Sequence, residues 1–288
     1  MKYISFSYRN IASFGVLTDV GVIDLKKKFN NEYNDLKSFL EGNRAEELEI
    51  NTKIADYKLD EINLLPVIPN PTKIVCVGLN YHEHVKEVGR EKSGYPIIFL
   101  RVPDSQVGHQ EEILLPKESN DLDYEGEIAI VIGKKGRRIK ETDAYDYIAG
   151  YSCYNDGSIR DWQLRTDQWG PGKNFDKTGA FGPWMVSRDE IKDGEALTLE
   201  TRVNGEVRQK TTTNLLIFPI PKLISFISTF TTLNPGDVIV TGTPGGVALK
   251  RDPQVFLKEG DVVEIEVSKI GTLLNKVKAE VVSTSHAI

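Results

Sequence analysis

The chain has 288 residues, 27% of them charged and 40% hydrophobic, with a formal net charge of −6. That length suits one large domain or a small one joined to a larger one, and the composition is that of an ordinary globular protein. The acidic balance, with no Lys/Arg block, argues against a nucleic-acid partner, and an acidic substrate would need a local metal, Lys or Arg.

The N-terminus lacks a basic segment followed by an apolar one, which predicts no signal peptide and a cytoplasmic location. Met1–Ser7 and Phe14–Asp24 carry strand patterns, and Tyr33–Leu40 and Arg44–Ile54 are short helix candidates. Pro66, Pro69 and Pro71 then read as a linker. Residues 1–70 are therefore expected to form a small, separate α/β unit without a chemical cluster, ahead of a main domain over 71–288.

An apolar strand over Lys73–Leu79 contains Cys76 and leads into Asn80-Tyr81-His82-Glu83-His84-Val85-Lys86-Glu87. His82 and His84 could begin a zinc site, but only His109 and His286 remain to complete it. If the segment turns helical after Tyr81, His84 and Glu87 share a face at i, i+3. A carboxylate beside an imidazole suits a general base; an exposed helix with an ordinary ion pair would read the same. The polar stretch Gly89–Gly94 is bounded by glycines and is expected to move. Strands follow over Pro96–Leu100 and Ile113–Pro116, with a loop over Arg101–Gln110 between them.

The run Asp121-Leu122-Asp123-Tyr124-Glu125-Gly126-Glu127 enters a β-branched strand, Ile128–Ile132. Residues two apart in a strand share a face, so Glu125 and Glu127 would project side by side. An E-x-E pair is most often a solvated strand face. Beside apolar neighbours, however, two like charges need a proton or a counter-charge, and a hard divalent cation with oxygen ligands is the simplest one. Asp156, after the apolar run Tyr147–Tyr154, is placed to be a third ligand. Cys153 lies in that run; with Cys76 it makes neither a disulfide framework nor a zinc knuckle.

Ser158–Arg165 is a helix candidate with Arg160 and Gln163 at i, i+3. Gly170-Pro171-Gly172-Lys173 has the wrong spacing for a phosphate loop, which leaves Lys173 as a lone cation near the metal site. Gly179–Val186 reads as a strand, and Leu197–Val203 with Glu206–Lys210 across Asn204-Gly205 as a hairpin. Leu215–Phe230, the longest apolar stretch, is too interrupted by Pro219, Pro221 and Lys222 to span a membrane. Pro221–Phe230 within it is an amphipathic helix. Asp237–Gly242, Val262–Val267 and Asn275–Val282 are the final strands.

In order, Asn80-Tyr81-x-x-His84-x-x-Glu87, Glu125-x-Glu127, Asp156-x-Ser158-x-Arg160-Asp161-x-Gln163, Gly172-Lys173-x-Phe175-Asp176, Gly182-Pro183, Asn204-Gly205, Pro235-Gly236-Asp237-x-Ile239 and Thr241-Gly242-Thr243-Pro244-x-Gly246-Val247 resemble the fumarylacetoacetate hydrolase family over about 71–288. The resemblance implies an α+β, mainly β fold: a mixed β-sandwich roll with the small N-terminal α/β unit, as a homodimer. It implies Mg²⁺, Mn²⁺ or Ca²⁺ on Glu125, Glu127 and Asp156, a His84–Glu87 base dyad on a short lid, and Lys173 reaching substrate. Arg160, Gln163 and Thr243 would line the substrate pocket, with Tyr81 and Arg101 added to the substrate-binding set. Arg101 lies in Phe99-Leu100-Arg101-Val102-Pro103-Asp104-Ser105, where many members carry Phe-x-Lys-Pro-x-Ser. Larger members have a fourth carboxylate ligand upstream of the histidine; here Val77-Gly78-Leu79 leaves three. The expected activity is hydrolysis of a C–C bond in an acylpyruvate or fumarylpyruvate. The alternatives are oxaloacetate decarboxylation, isomerisation of the 2-hydroxyhepta-2,4-diene-1,7-dioate type, and non-catalytic binding of a small acid. A small-molecule 2-oxo acid is the expected partner, without nucleic acid or membrane.

Overall fold

A computed structural model describes residues 1–44, 48, 50 and 53–281. The architecture is α+β and mainly β. Its centre is the strand Gly126–Ile132, every residue of which is buried. Ile148–Asn155 pairs with it antiparallel on one side and Val238–Val240 on the other. The sheet continues from Val238–Val240 to a parallel strand, Ile74–Gly78, and ends at Ile97–Arg101. In the other direction it runs through Gly179–Ser187 to the N-terminal strands. A five-stranded sheet holds Glu206–Thr212, Thr198–Val203, Val262–Val267, Gly271–Ala279 and Glu112–Leu115.

Alternation along the central strand divides the interior in two, because successive side chains point to opposite faces. Ile128, Ile130 and Ile132 join a core with Leu199, Ile265 and Leu273 of the five-stranded sheet. Ala129 and Val131 join a different core with Phe14, Leu36 and Phe39. Glu127 falls on the second face, toward Cys76.

The N-terminal segment does not stand apart as expected over 1–70. Lys2–Tyr8 pairs with Gly179–Ser187, so it extends the same sheet, and Phe14, Leu36 and Phe39 share a buried cluster with Ala129 and Val131 of the central strand. The segment keeps a small cluster of its own, Ile4, Phe6, Val22, Ile62 and Leu64, but Phe14, Leu36 and Phe39 belong to a core shared with the central strand. The strand expected over Phe14–Asp24 is a hairpin, Ile11–Thr18 and Gly21–Asp24, broken at Asp19-Val20. The helix expected over Tyr33–Leu40 begins later, at Leu36, where Asp35 and Ser38 form a reciprocal cap. Most of the Arg44–Ile54 helix candidate, Val282 at the end of the last strand, and His286 lie outside the described residues. At Asn204-Gly205 both φ angles are positive, 52° and 79°, as a two-residue hairpin turn requires. Among the described residues no helix is long and apolar enough to cross a membrane.

Candidate active site

Strand pairing assembles the carboxylates. The register sets Gly126 opposite Asn155 and Glu127 opposite Tyr154. Continued one step, it brings Glu125 opposite Asp156, and the Asp156 amide donates to the Glu125 carbonyl at 2.9 Å. The Asn155 side chain accepts from the Glu125 amide at 3.0 Å and locks that junction. Glu125, Glu127 and Asp156 are all buried, and their ligand atoms lie within 4.8 Å of one another.

Three cations answer these charges. Lys173 Nζ bridges Glu125 Oε2 and Asp156 Oδ2, at 2.7 Å each. Arg160 Nη1 meets Glu125 Oε1 at 2.7 Å, and its Nε meets Asp123 at 2.8 Å. Arg101 Nη1 meets Asp156 Oδ1 at 2.6 Å. Burial pushes Glu125 up, but Lys173 and Arg160 outweigh it and hold the carboxyl down at about 2. For Lys173, burial opposes the charge, while Asp156 and Glu125 raise its pKa on balance. Asp123, Glu125 and Asp156 are therefore balanced by Arg160, Lys173 and Arg101. Glu127 is the excess. Among the described residues it has no ion-pair partner and accepts only the Gly242 amide. Burial, then Asp156 and Glu125, push it well above the usual carboxylate range. A buried, all-oxygen triad with one uncompensated carboxylate is a donor set that fits a hard divalent cation.

The helix His82–Glu87 follows the Ile74–Gly78 strand. His84 and Glu87 do share its inner face: His84 Nδ1 lies 3.1 Å from Glu87 Oε2. The other carboxylate oxygen of Glu87 accepts the Gly246 amide at 2.9 Å. Burial pushes Glu87 up, but the His84 hydrogen bond and the Gly246 amide bring its pKa below the ordinary value. His82 stays exposed on the outer face, so the zinc pairing with His84 does not form. Asn80 fixes the helix entry. Its side chain donates to the Thr241 and Phe218 carbonyls and accepts the Phe218 amide.

One cavity of about 250 Å³ joins these groups. His84, the triad, Lys173, Arg160, Gln163 and Thr243 all face it. Arg101 and Tyr81, also expected at the substrate, are not part of its lining. The Arg101 guanidinium lies behind Asp156 and is spent on that carboxylate, the Gly157 carbonyl and Thr178. Tyr81 is buried at the start of the His82–Glu87 helix, and its backbone bridges to Leu216.

Asp123 was not among the expected site residues, although it is fully buried. It holds Arg160 and also accepts the Ala248 and Leu249 amides, each at 2.9 Å. Its signal was present in the alternating carboxylates of Asp123-Tyr124-Glu125-Gly126-Glu127. Trp169 was also missed; it packs against Gly78, where a Cβ would lie 2.3 Å from its ring.

Residues 73–278 match the model of the fumarylacetoacetate hydrolase C-terminal domain. The human mitochondrial oxaloacetate tautomerase FAHD2A is 46% identical over 219 residues, 75% of this chain and 70% of that protein. A fumarylacetoacetate hydrolase from Exiguobacterium antarcticum superposes with a TM-score of 0.87 at 34% identity, covering 97% of this chain and 100% of that one. A maleylpyruvate hydrolase from Sphingobium, solved with manganese(II) and pyruvate, superposes at 0.78 with 27% identity, over 98% of this chain and 100% of that one. Matched over most of its length in sequence and in fold, this chain belongs to the fumarylacetoacetate hydrolase family.

Proposed function

We propose that the protein shifts a proton on a 2-oxo acid, interconverting the keto and enol forms of oxaloacetate or a close analogue. The observation that carries this reading is the free side of the His84 ring. Nδ1 is held by Glu87, which leaves Nε2 as the nitrogen available to the cavity that the carboxylate triad shares. The name of the human relative supports it, and favours isomerisation over the hydrolysis expected first from the sequence.

Mg²⁺ or Mn²⁺ would be held by Glu125, Glu127 and Asp156, and when bound supplies Lewis-acid stabilisation of an enolate. The chain's own groups do the rest. His84 Nε2 takes the proton from the carbon next to the keto group, or returns it in the reverse direction. Glu87 keeps the ring oriented and balances the imidazolium charge. Lys173 places an ammonium beside the oxygen that gains negative charge. Arg160, Gln163 and Thr243 orient the substrate carboxylate. Arg101 fixes the rotamer of Asp156, and Tyr81 anchors the lid helix. Decay of enol-oxaloacetate absorbance in the presence of Mg²⁺ tests the reading. Protein-dependent acceleration is expected, and a rate equal to the uncatalysed one sinks it.

A second reading is hydrolysis of an acylpyruvate, favoured by the likeness to maleylpyruvate hydrolase. There the same dyad would take its proton from water instead of carbon. An acylpyruvate panel distinguishes the two, because only hydrolysis releases two acids.

A further inference from the structure

We propose that Arg90 and Lys250 form a second anion site at the mouth of the cavity, which takes the far carboxylate of a 2-oxo dicarboxylic acid. The proposal rests on the reading that a 2-oxo acid occupies the inner end.

The cavity is polarised along its length. All three of its carboxylates, Glu125, Glu127 and Asp156, are at the inner end. Val88, Phe99, Leu164, Val247 and Leu249 supply apolar lining. Besides the buried Arg160 and Lys173, the cationic lining groups are Arg90 and Lys250, both exposed. The inner cations, Arg160 and Lys173, are each paired with buried carboxylates, Arg160 keeping only Nη2 without a partner. The outer two are not: among the described residues neither has an ion pair, and Arg90 is held only over the Trp169 ring, at 5.7 Å. Two exposed cations without ion-pair partners, in a cavity whose buried end holds the other charges and whose lining is partly apolar, match a ligand with an anion at each end and methylene or vinyl carbon between.

Both cations sit on anchored backbone. The lid helix closes at Gly89, φ 69°, with the Arg90 amide on the Val85 carbonyl and the Gly89 amide on the Lys86 carbonyl, each at 3.1 Å. That pair of bonds fixes the direction in which the chain leaves the helix. Lys250 ends the short turn Ala248–Lys250, whose first two amides are bound by Asp123. The same carboxylate holds Arg160, so the mouth and the inner end are referenced to one buried group. Arg90 leaves the helix that carries His84 and Glu87. A far carboxylate on Arg90 would therefore hold the lid in the position that presents the base.

Two acids of equal length test this: 2-oxoglutarate and 2-oxopentanoate differ only in the terminal carboxylate. Calorimetric titration of each, with Mg²⁺ present, is made on the wild type and on Arg90→Gln/Lys250→Gln. Wild type should bind the diacid about tenfold more tightly, a modest ratio because the cations are exposed. The double variant should bring the ratio near one while 2-oxopentanoate affinity stays within about twofold. A wild type without preference, or a preference that survives both substitutions, overturns the proposal. Binding of neither acid to the wild type overturns it together with the reading of the inner site. If the preference is present and removable but oxaloacetate is not turned over, the anion site stands and the tautomerase reading falls.

Discussion

Two of the arginine–carboxylate clusters among the described residues differ in almost everything except composition. Arg160 meets Asp123 and Glu125 in the interior, with side-chain exposures of 0 to 7%. Arg202 meets Glu200, Glu264 and Glu266 on the five-stranded sheet, with exposures of 19 to 51%. Both arginines have raised pKa values. The outer cluster is a cross-strand ladder whose members remain partly hydrated, so each pair adds little and salt screens it. In the inner cluster every charge has lost its water, and removing one partner strands another. Chemistry needs the second arrangement, because charges without water around them act strongly on a substrate.

The comparison can be broken most severely at Glu127. Glu127→Ala should reduce activity to that of chelator-treated protein, since it removes the one carboxylate without a cationic partner from the metal set. The fold should persist, and metal-free protein should melt no earlier than wild type, because a desolvated like charge has gone. Full activity after chelation would remove the metal from the account.

His84→Ala should cost about 10²–10⁴-fold in turnover, the usual contribution of a general base. Glu87→Gln should follow in the same direction with a smaller loss. Turnover of His84→Ala within about threefold of wild type would exclude the dyad as base.

Asp123→Ala touches no reacting atom, yet should destabilise the protein by about 3–5 kcal/mol, as expected when a buried ion pair loses one member. Urea unfolding measures it, and a loss below about 1 kcal/mol, the range of exposed pairs, would mean that the inner cluster behaves like the outer one.

The inner carboxylates also predict the pH dependence of metal-free protein. Glu125 is depressed from 4.5 to about 2 in the folded state, so the unfolded chain binds more protons between those values. Stability should rise with pH across that window. Glu127 is raised above 4.5, so the folded state binds more protons above that value. Stability should then fall as pH increases further, and Mg²⁺ should cancel the fall. Melting temperatures measured with and without Mg²⁺ check both signs; a metal-free profile that keeps rising above pH 4.5 would contradict the Glu127 assignment.

The smallest effect belongs to the outer cluster. Arg202→Met should cost no more than about 1 kcal/mol and leave turnover unchanged. A larger loss would show that exposure does not separate the two clusters.

Local pattern determined a good deal of this protein. The β-branched run after Glu127 forms the central strand, the Asn204-Gly205 turn forms its hairpin, and the i, i+3 spacing of His84 and Glu87 forms the dyad. Each depends on residues within one element, where side-chain period and turn chemistry act directly. Glu125 and Glu127 were legible as a pair for the same reason. Other features were decided only when distant segments met. Residues 1–40 contribute to a small cluster with Ile62 and Leu64, but Phe14, Leu36 and Phe39 are buried in a core that the central strand shares. Arg101 meets Asp156 because the sheet edge turns its buried guanidinium toward that carboxylate. Asp123 gained its role from Arg160 and from two amides more than 120 residues away. Sequence alone carries the period of a strand and the residues able to ionise. Which of those charges end up without water, and which cation stands next to each, depends on chain segments that approach one another only in the folded protein.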